Sequence, residues 1–148
     1  HLDDLPAVSL EIERAPGTYP YRIIGHDSRL HQVMVTLIEN AISFSPPRGR
    51  VAITARRRGT NIEILIEDEG PGIPPENLER IFERFYTDRP HETFGQNSGL
   101  GLNISRQIIA AHGGRLYAEN RPTPGAETGT ANTKRSGGAR FVIRLSAA

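Results

Sequence analysis

The stretch NIEILIEDEGPGI, residues 61–73, decides the fold because a strand pattern runs directly into a glycine loop. Ile62, Ile64 and Ile66 recur with a period of two, which predicts a strand with these side chains toward the core. Asp68 continues the same row, so a carboxylate stands at the end of a core strand. Burial of a carboxylate without a partner costs several kcal/mol or forces protonation, so some group must bond to Asp68.

Two kinds of partner for Asp68 remain open from the residues alone. The first is the backbone, because aspartate in a turn is often satisfied by amide groups of the loop that follows. The second is a ligand that donates a hydrogen bond to the carboxylate. The strand pattern by itself does not choose between them.

The residues before this stretch predict a strand, a helix and half of a hairpin. Alternating apolar residues over 8–12 indicate a half-buried strand. Residues 27–42 have helical apolar spacing, with Asp27 as the expected N-cap. The apolar positions of this helix are Leu30, Val33, Met34, Leu37, Ile38 and Ala41. Alternation over 51–58, followed by "GTN" at 59–61, predicts a hairpin with the strand that begins at Ile62.

The residues after the loop predict a second helix and two closing strands. The helix follows from "GLGLNISRQIIAAHGG", residues 99–114, and a glycine pair ends it. Its expected core-facing residues are Leu100, Ile104, Ile108 and Ala111. Strands are expected over 115–120 and 140–145, and the intervening segment, about residues 122–139, is expected to be a mobile loop because it is poor in apolar residues.

Length and composition favour a single domain over residues 1–148, since 148 residues are enough for one hydrophobic core. Lys and Arg total 18 and Asp and Glu total 17, so the charge gives no reason to expect a nucleic-acid partner or a membrane surface. The absence of cysteine excludes disulfides and thiolate metal sites. No apolar run reaches the length of a membrane span.

Two further polar features accompany Asp68. Thr36, Asn40 and Ser43 form one edge of the first helix, and the amide oxygen of Asn40 is a hard ligand that suits Mg²⁺. The alternative is an ordinary solvated helix edge. Gly99 and Gly101 open the second helix, where bare amides and the helix dipole attract anions such as a triphosphate. The spacing fits neither a Walker loop nor a dinucleotide-binding fingerprint.

Four segments in this order resemble the catalytic ATP-binding domain of sensor histidine kinases, in the superfamily of gyrase, Hsp90, histidine kinases and MutL. They are LHQVMVTLIENAISFSP (30–46), EDEGPGIP (67–74), ERIFERFY (79–86) and SGLGLNISRQIIAAHGGRL (98–116), which are similar to the N, G1, F and G2 boxes. The resemblance covers roughly residues 5–121 and the last strand. The segment RFYTDRPHETFGQNSGLGL (84–102) further resembles envelope-sensing kinases of alphaproteobacteria.

The resemblance implies the fold and the reaction. The fold would be α+β, a two-layer α/β sandwich of the Bergerat type with a mixed, mostly antiparallel sheet packed on helices. ATP would lie between the helices and a flexible lid of about residues 74–98. The chain would bind Mg-ATP and donate the γ-phosphoryl group to a histidine on a separate dimerisation domain, in two-component signal transduction.

The resemblance also implies residue roles. Asp68 would accept the adenine amino group, Gly70 and Gly72 would let the base approach, and Asn40 would ligate Mg²⁺. Phe82 and Phe85 would anchor the lid on the domain, and Arg89 or Arg84 would be the catalytic arginine. The implied ATP-binding residues are Asn40, Ser43, Asp68, Gly70, Gly72, Ile73, Tyr86, Ser98, Gly99, Leu100, Gly101 and Leu102.

The sequence departs from the family pattern at the phosphate end of the site. Many histidine kinases have asparagine at the position of Thr36, lysine at Ser43 and arginine at Thr87. Arg89 or Arg84 is the candidate for the missing guanidinium. ATP-hydrolysing relatives carry a water-activating glutamate where Thr36 stands, so we expect phosphoryl transfer rather than hydrolysis.

The phosphoacceptor is expected to lie outside this chain. None of His1, His26, His31, His91 and His112 has the acceptor context of a histidine followed by an acidic residue and a proline-ended motif. We therefore expect a monomeric catalytic fragment of a homodimeric parent, on the cytoplasmic side of an inner-membrane sensor, with a response regulator as the downstream partner.

Two other functions stay open. A serine kinase of the anti-sigma-factor type shares this fold, although the "FERFY" block (82–86) favours histidine kinases. A non-catalytic nucleotide-sensing domain is the other, because Ser43 and Thr87 replace cationic residues of the family. Kinetics with the dimerisation domain would separate these functions.

Overall fold

A mixed five-stranded sheet is the frame of the chain. The computed structural model describes residues 9–14, 21–86, 101–122 and 137–148. The strands in the described part are β1 (Ser9–Arg14), β2 (Arg50–Arg58), β3 (Asn61–Glu67), β4 (Arg115–Asn120) and β5 (Ala139–Ser146). They lie in the order β1-β2-β3-β5-β4, with β1 and β2 parallel and the other pairs antiparallel. The prediction of a mixed, mostly antiparallel sheet is confirmed.

Two helices cover one face of this sheet and complete the two-layer sandwich. They are α1 (Asp27–Phe44) and α2 (Gly101–Ala111). The buried residues that α1 contributes to the core are Val33, Leu37 and Ala41, and Leu30, Met34 and Ile38 pack at its margin. Phe141 of β5 lies beneath the helices and is almost fully buried. The apolar stripe predicted for the first helix is therefore confirmed.

The ends of α1 differ from the prediction. His26 is the N-cap residue and has extended backbone angles, so Asp27 lies in the first turn, where its carboxylate faces the positive end of the helix dipole. The helix continues to Phe44, two residues past the predicted end. Ser45 then adopts an extended conformation, because the following Pro46 disfavours helical angles at the residue before it.

The buried face of α2 is also rotated from the predicted one. Ser105, Ile108 and Ile109 are buried, whereas Ile104 and Ala111 are exposed. The prediction was wrong at Ile104 and Ala111 because apolar character at helical spacing does not by itself define the angle at which a helix meets its sheet. Leu100, the other residue assigned to that face, lies outside the described residues.

The segment after the glycine loop is partly anchored in the core. It forms two short 3₁₀ segments, Pro75–Asn77 and Arg80–Phe82. Phe82 is 3% exposed and contacts Phe141 edge to face, with ring centroids 6.1 Å apart. Phe85 is 61% exposed, so its predicted anchoring role is wrong. Its backbone has φ 66°, in the left-handed region that non-glycine residues adopt uncommonly.

The outer face of the sheet carries ion pairs. Glu63 on β3 is 1% exposed, and its carboxylate contacts Arg56 on β2 at 2.8 Å and Arg144 on β5 at 2.7 Å. Arg140 contacts Glu67 at 2.8 Å in the same way. These pairs join three neighbouring strands on the side away from the helices.

Two predicted segments are described only in part. Of the lid predicted over about 74–98, residues 87–98 lie outside the described residues, as do 123–136 of the loop predicted over about 122–139. Residues 137–139 of that loop are ordered, because Gly137 and Gly138 pair with Arg121 and β5 begins at Ala139. Within the described ranges, no helix has both the length and the apolar character needed to cross a membrane.

Candidate functional site

Asp68 lies at the end of β3 and is 2% exposed, as the strand period predicted. Its Oδ1 atom accepts hydrogen bonds from the N–H groups of Gly70 at 2.8 Å and of Ala139 at 3.1 Å. The Asp68 N–H donates to the carbonyl oxygen of Ala139 at 3.0 Å. Backbone amides therefore satisfy one carboxylate oxygen. This is the first of the two kinds of partner that the sequence left open for Asp68.

The second oxygen, Oδ2, is available to a ligand. Among the described residues, the hydrogen bonds to the Asp68 side chain fall on Oδ1. Burial raises the pKa of the Asp68 carboxyl, and the hydrogen bonds from Gly70 and Ala139, together with the charge of Arg121, only partly offset this effect. An N–H donor brought to Oδ2 would stabilise the buried anion. A ligand amine would fit this arrangement better than a ligand carbonyl, because a carbonyl oxygen cannot donate to the carboxylate.

The loop after Asp68 lies against both layers of the fold. A Cβ atom on Gly70 would stand 2.5 Å from the carbonyl oxygen of Phe44, so the loop approaches the end of α1 closely. Gly138 has φ 120°, and a Cβ atom there would collide with the carbonyl oxygen of Asp68. The loop is thus held between the end of α1 and the start of β5. Gly72 has φ 83°, and Ile73 packs at the margin of the core.

The polar edge of α1 faces the beginning of α2. A Cβ atom on Gly101 would lie 3.1 Å from Cγ2 of Thr36, so these two positions are in contact. Asn40 is half-buried one turn after Thr36 on the same edge. Ser43 is exposed, and its hydroxyl donates to the carbonyl oxygen of Asn40 at 2.8 Å. The helix α1 thus adjoins the Asp68 loop at Phe44 and the start of α2 at Thr36, and Asn40 lies between these two positions along the helix.

Of the remaining predicted site residues, three lie in the described part of the chain and four lie outside it. Tyr86 and Leu102 pack against the core, and Arg80 stands over the Tyr86 ring at 5.6 Å. Arg84 is exposed, with its guanidinium 4.8 Å from the centroid of the Phe85 ring. The site residues that lie outside the described part of the chain are Arg89, Ser98, Gly99 and Leu100.

Asn120 and Arg121, at the end of β4, belong to this site and were missed by sequence reasoning. The Asn120 side chain exchanges two hydrogen bonds with the backbone of Ile73, each 2.7 Å long. One Arg121 nitrogen, Nη1, donates to the carbonyl oxygens of Asp68 at 2.7 Å and of Gly137 at 2.9 Å. Two consecutive polar residues at a strand end were the available signal, but they do not reveal which loop they reach.

Comparison with known proteins identifies relatives over most of the chain. The family model described as histidine kinase-, DNA gyrase B- and HSP90-like ATPase matches residues 25–148. The sensor protein ChvG of Rhizobium meliloti (strain 1021) is 50% identical over 127 residues, which are 84% of this chain and 21% of that protein. This chain thus spans about a fifth of the length of such curated relatives.

Two solved structures share the fold. The mycobacterial sensor histidine kinase MprB superposes with a TM-score of 0.75 at 31% identity, over 94% of this chain and 81% of that chain. The histidine kinase ThkA, solved in complex with the response regulator TrrA, superposes with a TM-score of 0.68 at 26% identity, over 94% of this chain and 34% of that chain. The resemblance inferred from the four sequence segments is confirmed.

Proposed function

The chain belongs to the histidine kinase-, DNA gyrase B- and HSP90-like ATPase family, and from that premise we propose that it binds Mg-ATP and donates the γ-phosphoryl group to a histidine on a separate dimerisation domain. The proposal covers residues 1–148 as one catalytic domain of a sensor histidine kinase. Relatives such as ChvG and MprB are named as sensor proteins or histidine kinases, which supports this assignment.

The environment of Asp68 is the observation that carries the proposal. A buried carboxylate with one oxygen bound by backbone amides and the other available matches the exocyclic amine of adenine. Guanine presents a carbonyl oxygen at that position, which would place two acceptors face to face. Such a mismatch costs about 1–3 kcal/mol.

The residues on the polar edge of α1 fit Mg²⁺. Asn40 offers an amide oxygen, which is a hard ligand, and its side chain has no hydrogen bond among the described residues. A metal ion here would have Asn40 as a protein ligand and would take its other ligands from phosphates and water. When bound, Mg²⁺ supplies positive charge that offsets the charge of the phosphates.

The chain supports transfer to a presented acceptor better than hydrolysis. Thr36 stands one turn before Asn40 and has no basic group with which to activate water. The residues of the site would then act by binding and orientation, with the amides of Gly99 and Gly101 donating to the phosphates. The guanidinium of Arg89 or Arg84 would contact the γ-phosphoryl group during transfer and stabilise its charge.

The partners follow from the reaction. The acceptor histidine would lie on the dimerisation domain of a homodimeric parent, and a response regulator would take the phosphoryl group from it. The neighbour ThkA has been solved in complex with the response regulator TrrA, which supports a response regulator as the partner. We place the chain on the cytoplasmic side of a membrane-bound sensor, as one monomeric domain of that parent.

Calorimetric titration with ATP and GTP, with and without Mg²⁺, tests the proposal. We expect binding of ATP, stronger binding with Mg²⁺ and a clear preference for ATP over GTP. Asp68→Asn should weaken ATP binding while the thermal midpoint stays nearly unchanged, because the carboxylate serves the ligand more than the core. Equal affinities for ATP and GTP would contradict the proposed role of Asp68 in recognising adenine.

A phosphoryl-transfer assay distinguishes a catalytic domain from a nucleotide-sensing domain. Incubation with radiolabelled ATP and the dimerisation domain should give acid-labile label on the histidine of that domain. Binding of ATP without any labelling would instead support the nucleotide-sensing function. Label that appears on a serine would support the anti-sigma-factor type of kinase.

A further inference from the structure

We propose that Asn120 and Arg121 are positioning residues for the nucleobase, because these adjacent residues hold the two ends of the loop Asp68–Ile73. The proposal rests on the proposed function, in which this loop contacts adenine. It assigns a role to two residues that make no contact with the phosphate end of the site in the described part of the chain.

Asn120 holds the C-terminal end of the loop. Its Oδ1 accepts from the Ile73 N–H at 2.7 Å, and its Nδ2 donates to the Ile73 carbonyl oxygen at 2.7 Å. This pair of bonds is the one that a neighbouring strand would supply, delivered by a single side chain. Glycine at Gly70 and Gly72 gives the loop many accessible conformations. A fixed end at Ile73 reduces that freedom before the ligand binds.

Arg121 holds the N-terminal end of the loop. Its Nη1 donates to the Asp68 carbonyl oxygen at 2.7 Å, and the Arg121 backbone pairs with Gly137 and Gly138 at 3.0 and 2.8 Å. The guanidinium therefore connects the main chain of Asp68 to the start of β5, whose Ala139 N–H bonds the carboxylate. The Asp68 carboxylate is thus oriented from the backbone on both sides.

The contacts that Asn120 and Arg121 make with the two ends of the loop are here called the two clamps. They orient the loop that contacts the base, and they do not contact the phosphates. The residues proposed to meet the phosphates lie on α1 and at the start of α2, which are separate elements from β4. Loss of a clamp should therefore reduce the preference for adenine over guanine in addition to the overall affinity. Substitution of a residue that only stabilises the fold would instead weaken the binding of adenine and guanine nucleotides by the same factor.

Titration of the full chain with ADP and GDP tests this inference. For Asn120→Ala we expect ADP to bind about tenfold more weakly, with a smaller change for GDP. The amide hydrogen of Ile73 should exchange faster in the same variant, while that of Leu65 in β3 stays protected. Asn120→Asp keeps the acceptor for the Ile73 N–H but places a second carboxylate oxygen against the Ile73 carbonyl oxygen, so ADP should bind at least as weakly as to Asn120→Ala.

Matched controls separate positioning from stability. Asn61→Ala removes the same side chain at the opposite end of the sheet and should leave both affinities unchanged. Arg121→Leu keeps much of the side-chain volume and should reduce the ADP preference as Asn120→Ala does. Thermal midpoints of all variants identify any that bind weakly only because they are partly unfolded, and Arg121→Leu decides the question if Asn120→Ala is one of them.

Three outcomes decide the matter. An unchanged ratio of ADP to GDP affinity in the Asn120 and Arg121 variants overturns the positioning role and leaves the proposed function intact. Unchanged exchange at Ile73 in Asn120→Ala overturns the clamp itself. A wild-type chain that binds neither nucleotide overturns the proposed function and, with it, this inference.

Discussion

Among single residues, Asp68 shows how burial and chemistry combine at this site. Its Oδ1 atom is bonded by Gly70 and Ala139, whereas burial disfavours the charge that the whole carboxylate carries. Burial thus disfavours the charged form of Asp68, and a ligand N–H group that bonds to the carboxylate would stabilise that form. Affinity for the ligand and stability of the free chain should consequently respond to pH in opposite directions.

We predict that acidification stabilises the wild-type chain relative to Asp68→Asn. Because the pKa of Asp68 is raised on folding, the native state binds a proton more readily than the unfolded state, and this stabilisation is lost as pH rises through the folded pKa. Urea unfolding from neutral pH down to about pH 4 checks the sign. ATP affinity should fall over the same pH range, and a wild-type advantage that shrinks on acidification would contradict the prediction.

Asn40 should matter only when Mg²⁺ and phosphates are both present. In Asn40→Ala, the gain in ATP affinity on adding Mg²⁺ should disappear, while affinity in the presence of a chelator stays the same. Calorimetry under both conditions measures the difference, with Glu39→Gln, an exposed neighbour on α1 with no assigned role, as the control. Persistence of the Mg²⁺ gain would make Asn40 an ordinary helix-edge residue.

Among the elements, the 3₁₀ segment Arg80–Phe82 and the turn after it contain two aromatic residues with opposite surroundings. Phe82 fills the core against Phe141, and Arg106 stands over its ring at 4.2 Å. Phe85 points outward beside Arg84. The family resemblance treats both as anchors, whereas only Phe82 has the burial that anchoring requires.

We expect Phe82→Ala to lower the free energy of unfolding by about 3–5 kcal/mol, because it leaves a cavity in the core. Phe85→Ala should change it by less than about 0.5 kcal/mol, since the lost side chain is largely in water. Urea denaturation of both variants makes the comparison. Similar losses in the two would mean that Phe85 also packs on the domain.

The outer face of the sheet depends on ion pairs between strands. Burial disfavours the charge of Glu63, but hydrogen bonds from Arg56 and Arg144 outweigh it, so the pKa of Glu63 lies below its ordinary value. The stabilisation is then present above the unfolded-state pKa and is lost as pH falls through the lower folded pKa.

Glu63→Gln should therefore destabilise the chain by about 1–3 kcal/mol at neutral pH. The difference from wild type should shrink on acidification, because protonation removes the same charge from wild type. Glu119→Gln is the control, since Glu119 is 41% exposed and pairs with Arg140 at 2.7 Å, and its loss should stay below about 1 kcal/mol. Equal decreases in the free energy of unfolding of the two variants at neutral pH would show that burial does not strengthen the ion pairs of Glu63.

For the whole molecule, the two-layer arrangement is what assembles the site. The sheet supplies Asp68 and its backbone partners, α1 supplies Asn40, and the start of α2 adjoins Thr36. The chain nevertheless lacks a histidine in an acceptor context. Under the proposed function, the acceptor histidine is supplied by a separate dimerisation domain.

The isolated chain should bind ATP yet neither label itself stably nor hydrolyse ATP quickly. With the dimerisation domain added, Arg89→Ala should slow transfer by about a hundredfold or more with little change in ATP affinity, since the contact strengthens in the transition state. Single-turnover labelling measures the rate. Arg84→Ala is the comparison, and a larger defect there would assign the role to Arg84.

Much of the fold could be predicted because it is encoded within single elements. The period of two placed Asp68 on the core side of β3, and the 3.6-residue period identified the stripe of α1. The rotation of α2 could not be obtained in this way, since Ile104 is exposed by the way the helix meets its neighbours. Likewise, nothing in the aromatic pattern FERFY (82–86) distinguishes the exposed Phe85 from the buried Phe82.

The sequence by itself determined which segments form strands and helices, and that Asp68 is a buried carboxylate in need of a partner. Only the tertiary structure decided what those partners are. The Ala139 N–H is 71 residues from Asp68, and the Asn120 amide is 47 residues from Ile73. These residues meet because β5 lies between β3 and β4 in the sheet. Local periodicity contains no information about strand order, so the clamp on the loop emerges only when the chain has folded.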